Sequence, residues 1–353
     1  KIVEYAGLYC DELYMSGFKT LDPDRFFGRG VVNSGGNSWA NYYNIIYLAN
    51  VLEENRARIA QAIDILDYKV NRAARSLKTN RSMTVGVLLP TIDSPFFSRI
   101  VSRMDTLLQQ AGYHTIICSY NFDRESELKK LRFLLDAGID GLMLVPEALC
   151  EEDFSQFREL MDRTLPLVLV DRTVAGLTCD KVLANNTNVS YDAVEHLILH
   201  DHRRIGIITG PLTISTAAER LTGYRRALEA YSLPEDPSII KTGAYDSESG
   251  YRLFKELMAM DNPPGALFLT NYDMMLGALT ALYERQDSQV PVPEMVGYDN
   301  LDVSRILRPP ISMVVQPMDE LGEETARLLL RRMAGDWDHY PTVRRLRSQL
   351  LIP

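Results

Sequence analysis

The sequence has no long hydrophobic segment. Its 353 residues contain no apolar run of about 18 or more residues, the length that a membrane-spanning helix needs. The first residues, KIVEYAG, do not combine a cationic start, an apolar stretch and a small-residue cleavage site, so we expect no export signal. These absences predict a soluble, cytoplasmic protein with no membrane partner.

Cysteine is scarce, and its spacing excludes two common kinds of structural site. The four cysteines are Cys10, Cys118, Cys150 and Cys179, and no two of them form a CxxC pair. A zinc site or a disulfide framework would need closer or paired cysteines. We therefore expect reduced thiols.

The usual signatures of catalysis are also missing. No GxSxG elbow and no GxxxxGKS phosphate loop occur. The segment GRGVVN (28–33) has Asn33 where a dinucleotide loop needs its third glycine. His196 and His200 are four residues apart, a spacing that can hold zinc, but no glutamate occupies the HExxH position. We therefore predict no enzyme activity, no metal site and no cofactor.

Charge is unevenly distributed along the chain. The net charge of -9 argues on average against a nucleic-acid partner. Between Arg56 and Arg81, however, seven cations stand against two acids. Part of this segment belongs to a predicted helix over 51–68, whose first turn carries Glu53 and Glu54, where the helix dipole favours anions. A basic patch of this kind is typical of contact with phosphate.

From Thr84 onward, apolar strand-like segments alternate with amphipathic helical segments. The alternation predicts βαβ units and mostly parallel sheets. Polar segments near 184–188 and 310–317 predict two α/β lobes around a cleft, with ligand beyond the carboxyl ends of the strands. The predicted strands are TVGVLL (84–89), HTIICS (114–119), GLMLV (141–145), LVLVD (167–171), RIGIIT (204–209), ALFLT (266–270), EMVGYD (294–299) and ISMVV (311–315).

Six segments together resemble the LacI/GalR family of bacterial transcription regulators, in particular its purine-repressor and ribose-repressor branch. The resemblance covers roughly the chain from residue 51 to its end, and it depends on all six segments occurring in the family's order. The segments are NRAARSLKTNRS (71–82), SPFFS (94–98), ITGPLTISTAAERLTGY (208–224), TNYDMMLGAL (270–279), VGYDN (296–300) and QPMDELGEETARLLL (316–330).

The resemblance implies a two-lobed core with the type I periplasmic-binding-protein fold, preceded by a small α-helical headpiece and a hinge helix. Residues 1–50 do not contain the family's helix-turn-helix pattern, so no base-reading residue can be carried over to them. The implied domains are a headpiece (1–70), a hinge (71–82), a first lobe (83–184 with about 317–343) and a second lobe (185–316 with about 344–353).

In this family two hinge helices of a homodimer lie in the minor groove of a palindromic operator, and a leucine from each enters between base pairs. Leu77 matches that leucine. Unstacking costs a few kcal/mol and burying a leucine returns about 1.5 to 3 kcal/mol, so phosphate attraction must contribute. From composition alone, a solvated basic linker remains the alternative. The implied DNA contacts are Asn71, Arg75, Ser76, Leu77, Lys78 and Arg81.

The resemblance also implies an effector site in the cleft. Aromatic side chains can stack on the C–H face of a sugar, a carboxylate can accept two hydroxyl hydrogen bonds, and guanidinium groups can bind hydroxyls or a carboxylate. The implied effector contacts are Phe96, Phe97, Arg172, Asn186, Thr216, Arg220, Tyr245, Asn271 and Asp299.

Two departures from the family pattern limit the choice of effector. Ile214 stands where the purine repressor has a base-reading arginine, and Tyr272 stands where many members have aspartate. A purine is therefore disfavoured. We predict a monosaccharide or a sugar acid, with Arg172 and Arg220 favouring the acid slightly.

The interpretation of the whole sequence is an effector-responsive, DNA-binding repressor of carbohydrate metabolism. Ligand would change the angle between the lobes and so form or melt the hinge helices, a coupling that needs about 1 to 3 kcal/mol. The sequence ends with RSQLLIP (347–353) and shows no heptad tail for tetramerisation, so we expect a dimer. The alternative is a sugar-binding receptor without DNA-binding activity, for which an export signal and the lack of a basic hinge would be typical.

The hinge hypothesis predicts the effect of Leu77→Ala. Loss of the wedge should weaken operator binding by about 1.5 to 3 kcal/mol, or roughly 10- to 150-fold, and should leave effector affinity intact. Gel-shift titration measures the first quantity and calorimetry the second. Unchanged operator affinity would remove the leucine wedge from the mechanism.

Overall fold

The computed structural model describes residues 81–147, 165–174, 176–284, 292–299, 306–307 and 310–353. The chain divides into two compact units, Lys1–Ser82 and Met83–Pro353, and the architecture below is that of the second. The expected headpiece and the expected DNA contacts Asn71, Arg75, Ser76, Leu77 and Lys78 lie outside the described residues. Arg81 is described and is exposed.

Strands and helices alternate along the described residues. The strands are β1 (Thr84–Leu89), β2 (His114–Ser119), β3 (Gly141–Leu144), β4 (Leu167–Val170), β5 (Asp180–Ala184), β6 (Ile205–Thr209), β7 (Ile240–Thr242), β8 (Ala266–Leu269), β9 (Glu294–Tyr298), β10 (Ser312–Val315), β11 (Val343–Leu346) and β12 (Gln349–Leu351). The helices are α1 (Pro95–Gln110), α2 (Arg124–Asp136), α3 (Asn186–Leu199), α4 (Ser215–Ala230), α5 (Ser247–Met258), α6 (Tyr272–Tyr283) and α7 (Met318–Met333). A short 3-10 helix (Pro237–Ile239) precedes β7. No helix among the described residues is both long enough and apolar enough to cross a membrane.

The strands form two six-stranded sheets. The first has the order β11-β5-β4-β3-β1-β2, and the second has the order β12-β10-β9-β8-β6-β7. Every pairing is parallel except that of β10 with β12. We call the first sheet with α1, α2 and α7 lobe 1, and the second sheet with α3 to α6 lobe 2. The predicted α/β class with mostly parallel sheets is confirmed.

The central strands are buried because helices cover both faces of each sheet. The residues of β3, β4, β6 and β8 are all buried, as expected for parallel strands that read as continuous apolar runs. In lobe 1, the apolar face of α1 packs with β1 and α7 in one core cluster. In lobe 2, α5 and α6 cover one face of the sheet, and α3 and α4 cover the other. Each lobe therefore has its own core.

Several helices begin directly after strands, and polar residues cap them. Pro95 begins α1, where a missing N–H costs nothing. The Asp123 side chain accepts a hydrogen bond from the Ser126 amide at 2.8 Å, and Asp246 accepts one from the Ser249 amide at 2.7 Å. Such caps replace the missing hydrogen bonds of the first helical turn. They fix the loops at the carboxyl ends of the strands.

The chain passes between the lobes three times. The first crossing (184–186) joins β5 to α3, the second (315–318) joins β10 to α7, and the third (346–349) joins β11 to β12. The Ser348 amide donates to Asn185 Oδ1 at 2.7 Å, which links the first and third crossings. The third crossing lies a few residues later than the boundary expected near 343–344, because Val343–Leu346 pairs with β5 of lobe 1.

A buried ion pair fastens α7 to the first sheet. Arg332 donates from Nε to Asp180 Oδ2 at 2.7 Å and from Nη2 to Asp180 Oδ1 at 3.1 Å, and both side chains are fully buried. The guanidinium also lies over the rings of Trp337 and Tyr340. Breaking a buried pair leaves an uncompensated charge, which costs more than the pair contributes.

Asp180→Asn should lower the free energy of unfolding by about 3 to 5 kcal/mol, as measured by urea denaturation at neutral pH. Glu235→Gln is the matched control, because Glu235 pairs with Arg225 at 2.9 Å on the exposed surface and should cost less than about 1 kcal/mol. Equal effects of the two substitutions would contradict this account of the buried pair.

Candidate functional site

A cavity of about 490 Å³ lies at the carboxyl ends of the strands, with walls from both lobes. This is where open parallel sheets bind ligands. Eight of the nine predicted effector residues line it, namely Phe96, Phe97, Arg172, Thr216, Arg220, Tyr245, Asn271 and Asp299. Asn186 is fully buried and does not line the cavity, but it holds Arg220, as described below.

The cavity has an aromatic wall from lobe 1 and a tyrosine from lobe 2. Phe96 and Phe97 lie in the first turn of α1, with their ring centroids 5.1 Å apart in an edge-to-face arrangement. The ring of Tyr245 covers Gly210 so closely that any side chain at that position would overlap the ring. The Tyr245 hydroxyl lies 3.5 Å from Thr216 Oγ1. These groups offer apolar faces beside hydroxyl groups, which suits a ligand with both.

Backbone strain is concentrated around the cavity. Nine non-glycine residues among those described have positive φ, and four of them line this cavity. They include Asp171 at φ 66°, Tyr245 at φ 63° and Asp299 at φ 76°. Such conformations cost roughly 1 to 3 kcal/mol each and persist where the surroundings enforce them, often at functional sites. The strain is independent support for a binding site here.

Arg172, which stands two residues after the end of β4, is already paired within the protein. Its Nη1 donates to Glu147 Oε2 at 2.8 Å and to the Pro146 carbonyl oxygen at 3.3 Å, and its Nε lies 3.9 Å from Asp171 Oδ2. The residue is only 4% exposed. Its positive charge is therefore largely compensated by acids before any ligand binds.

Arg220 on α4 is fixed by a network that begins at the first crossing. Its Nε donates to Asn186 Oδ1 at 3.1 Å and its Nη1 donates to the Thr270 carbonyl oxygen at 2.7 Å. Its guanidinium lies 4.2 Å from the centre of the Tyr298 ring. Asn186 in turn donates from Nδ2 to Glu219 Oε2 at 3.0 Å. Asn186 therefore positions Arg220 and is not itself part of the cavity surface.

Two aspartates at strand ends face the cavity. Asp299 follows β9, and its Oδ1 accepts a hydrogen bond from Gln316 Nε2 at 2.6 Å. Burial raises the pKa of the Asp299 carboxyl to about 6. Burial also raises the pKa of Asp171 after β4, whose Oδ1 has no hydrogen-bond partner among the described residues. Both carboxylates can accept hydroxyl hydrogen bonds from a ligand.

Asn271 lines the cavity and also caps a helix. Its Oδ1 accepts a hydrogen bond from the Met274 amide at 3.0 Å and caps α6. The carbonyl oxygen is therefore committed, and the side-chain amide group is what remains for a ligand. Asn271→Ala would remove the cap together with the contact.

Acids outnumber cations in the cavity wall. The exposed cation Arg99 is paired with Asp319 at 2.6 Å, so its charge is also compensated. The cations in the lining are Arg99, Arg172 and Arg220, and the acids are Asp171, Asp273, Asp299, Asp319 and Glu320. This balance disfavours an anionic ligand, because it would meet more negative than positive charge.

The sequence interpretation missed several of these residues. Asp171 is the last residue of the predicted strand segment LVLVD, but only its neighbour Arg172 is among the predicted effector contacts. Gln316 and Asp273 also line the cavity. Their positions in the sequence are the available signal. Asp171 and Gln316 directly follow the buried strands β4 and β10, and Asp273 lies in the first turn of the helix that Asn271 caps.

Comparison with known proteins gives one consistent result. Residues 82–350 match the family model described as "Periplasmic binding proteins and sugar binding domain of LacI family". The chain is 36% identical to the "Probable HTH-type transcriptional regulator EndR" of Paenibacillus polymyxa, over 80% of this chain and 83% of that protein. It is 31% identical to the "HTH-type transcriptional repressor PurR" of Aliivibrio salmonicida, over 80% and 84%.

A solved structure extends the similarity to the fold. The LacI family transcriptional regulator from Enterococcus faecium, solved with bound ribose, is 26% identical with a TM-score of 0.66, over 76% of this chain and 97% of that chain. All three proteins are described as transcriptional regulators, in agreement with the expectation that this chain is not an enzyme.

Proposed function

The chain belongs to the LacI family of transcriptional regulators, and from that premise we propose that it is a homodimeric, DNA-binding repressor whose effector is a neutral monosaccharide bound between the lobes. The observation that carries the choice of effector is the cavity itself. It combines aromatic faces, a pair of hydroxyl-accepting carboxylates and two arginines that already bond to protein oxygens.

The charge of the wall separates a neutral sugar from a sugar acid. A carboxylate ligand would have to compete with Glu147 for Arg172, and it would approach Asp171 and Asp299. A neutral sugar has no such penalty, because its hydroxyls can donate to those carboxylates. Arg172 therefore no longer favours an acid, because Glu147 already pairs with it, and Arg220 donates to neutral oxygens within the protein.

A purine is the second candidate, because the PurR protein of Aliivibrio salmonicida is a relative at 31% identity. Ile214, which stands where the purine repressor has its base-reading arginine, is buried at the N-cap of α4. An isoleucine cannot supply hydrogen bonds to the edge of a base. This position favours a sugar over a purine.

The proposed coupling to DNA uses the crossings. Gln316 in the second crossing holds Asp299, and Asn186 in the first crossing holds Arg220. A ligand that binds Asp299 and Arg220 would act on both segments that join the lobes. The resulting change of lobe angle would then favour or disfavour the paired hinge segments of a dimer.

Calorimetry with neutral pentoses and hexoses, the matching sugar acids, and hypoxanthine and guanine tests the effector. We expect one or more neutral sugars to bind and to change the affinity for a palindromic operator in gel-shift titrations. Binding confined to purines or to sugar acids would contradict the proposed effector. Sugar binding without any operator affinity at low salt would instead support a receptor without DNA-binding activity.

The role of Asp299 predicts a pH dependence. Hydroxyl donors stabilise the ionised carboxylate, so ligand binding should lower its pKa from about 6. Sugar affinity should then fall as the pH decreases below about 6 and should be constant above about 7. Asp299→Asn should weaken sugar binding by about 1.5 to 3 kcal/mol and flatten the pH profile.

Asp261→Asn is the control for this substitution, because Asp261 is exposed and lies outside the cavity lining. It should change neither the affinity nor the pH profile. A wild-type pH profile in the Asp299→Asn protein would show that another group carries the titration.

A further inference from the structure

Three histidines surround one glutamate at the amino-terminal end of β9. This is the end of the second sheet opposite to the cavity. Glu294 is the first residue of β9, whereas Asp299 follows the last residue of the same strand. His196 lies in the last turn of α3, His200 caps the end of that helix, and His202 stands just before β6. The fold therefore supplies the acid that the local sequence around the histidines lacks.

The donor atoms are close enough to share one ion. His200 Nδ1 lies 2.6 Å and His196 Nε2 lies 3.8 Å from Glu294 Oε1. The ligand atoms of these three residues all lie within 4.8 Å of one another. Tetrahedral zinc has bonds of about 2.0 to 2.2 Å, so its ligand atoms stand roughly 3.3 Å apart. Small side-chain rotations would bring the three atoms to that spacing.

The surrounding contacts prepare the donors. His202 Nε2 lies 2.8 Å from Glu294 Oε2, which leaves Oε1 directed at the other two histidines. A partner of this kind orients a metal ligand in known sites. Ser312 Oγ lies 3.0 Å from His196 Nε2, so the hydroxyl competes for this nitrogen and has to give up the contact when an ion binds.

An ion can reach the site. A second cavity of about 440 Å³ is lined by His196, His200, Glu294 and Ser312 on one side and by apolar residues on the other. The His200 side chain is 49% exposed. The arrangement provides three protein ligands and room for a fourth from solvent. Two imidazoles and one carboxylate suit zinc and neighbouring transition metals, whereas magnesium and calcium prefer oxygen ligands alone.

We propose that His196, His200 and Glu294 bind one divalent transition-metal ion of the zinc class, with His202 as a positioning residue for Glu294. The ion would join the end of α3 to the start of β9 within lobe 2. The site is separate from the effector cavity and does not depend on the function proposed for it.

The test is a zinc titration of the full-length, chelator-treated protein in competition with a fluorescent zinc chelator. We expect the wild type to bind one zinc ion that His200→Ala either does not bind or binds roughly 100-fold more weakly. Removing a metal ligand should cost more affinity than removing the partner that supports a ligand. His202→Ala should weaken binding by roughly 10- to 100-fold without changing the melting temperature of the metal-free protein.

His114→Ala is the matched control, since His114 is an exposed histidine at the start of β2 in lobe 1, and it should bind zinc like the wild type. Zinc should also raise the melting temperature of the wild type and not that of His200→Ala, because a ligand stabilises the state that binds it. Equal zinc binding by the wild type and His200→Ala, or equal affinity for magnesium and zinc, would overturn the proposal and leave the cluster as a hydrogen-bonded network.

Discussion

The three crossings between the lobes are the constraint on which the binding cavity depends. Two separate cores can only form one cavity if the chain holds their strand ends together, and the crossings do so. The second crossing (315–318) itself lines the cavity. The residues of the crossings are also the ones that hold the site, since Asn186 bonds Arg220 and Gln316 bonds Asp299. A ligand that pulls on Arg220 and Asp299 therefore acts on the segments that set the lobe angle, and no longer path through the cores is required.

The buried arginines of lobe 1 and of the cavity have partners within the protein. Arg332 satisfies Asp180, Arg172 satisfies Glu147, and Arg220 is held by neutral oxygens and an aromatic ring. Such pairing avoids the large cost of an isolated buried ion. It also means that the arginines serve as fixed donors. The neutral effector that we propose would fit this fixed arrangement and the excess of acids around it.

The sequence predicts the parts of the fold whose signal is local. All eight predicted strands are present, because most of them are apolar runs buried on both sides. The exception is the edge strand β2, which is largely half-buried or exposed and is still marked by β-branched residues. The strands that were not predicted are β5, β7, β11 and β12, which are short or rich in polar residues, as in DKVLA and VRRL. β7, β11 and β12 are edge strands. β5 forms a strand because it pairs with β4 and β11 on its two sides, and its own sequence does not reveal this pairing. The same limit applies to the sites, since Gln316 meets Asp299 and Glu294 meets His200 only through the fold.

The strand β9 relates the two ends of lobe 2. Glu294 and Asp299 are five residues apart along an extended chain, or about 16 Å, and β9 is hydrogen-bonded between β8 and β10. Gly297 allows Met275 and Met313 to pack against the strand so closely that a side chain there would overlap them. A strand held in this way moves with its sheet and does not slide. An ion at Glu294 would therefore stiffen lobe 2 as a body, whereas in the proposed coupling a ligand at Asp299 would change the angle between lobe 2 and lobe 1. The two sites would then act on different motions of the same lobe.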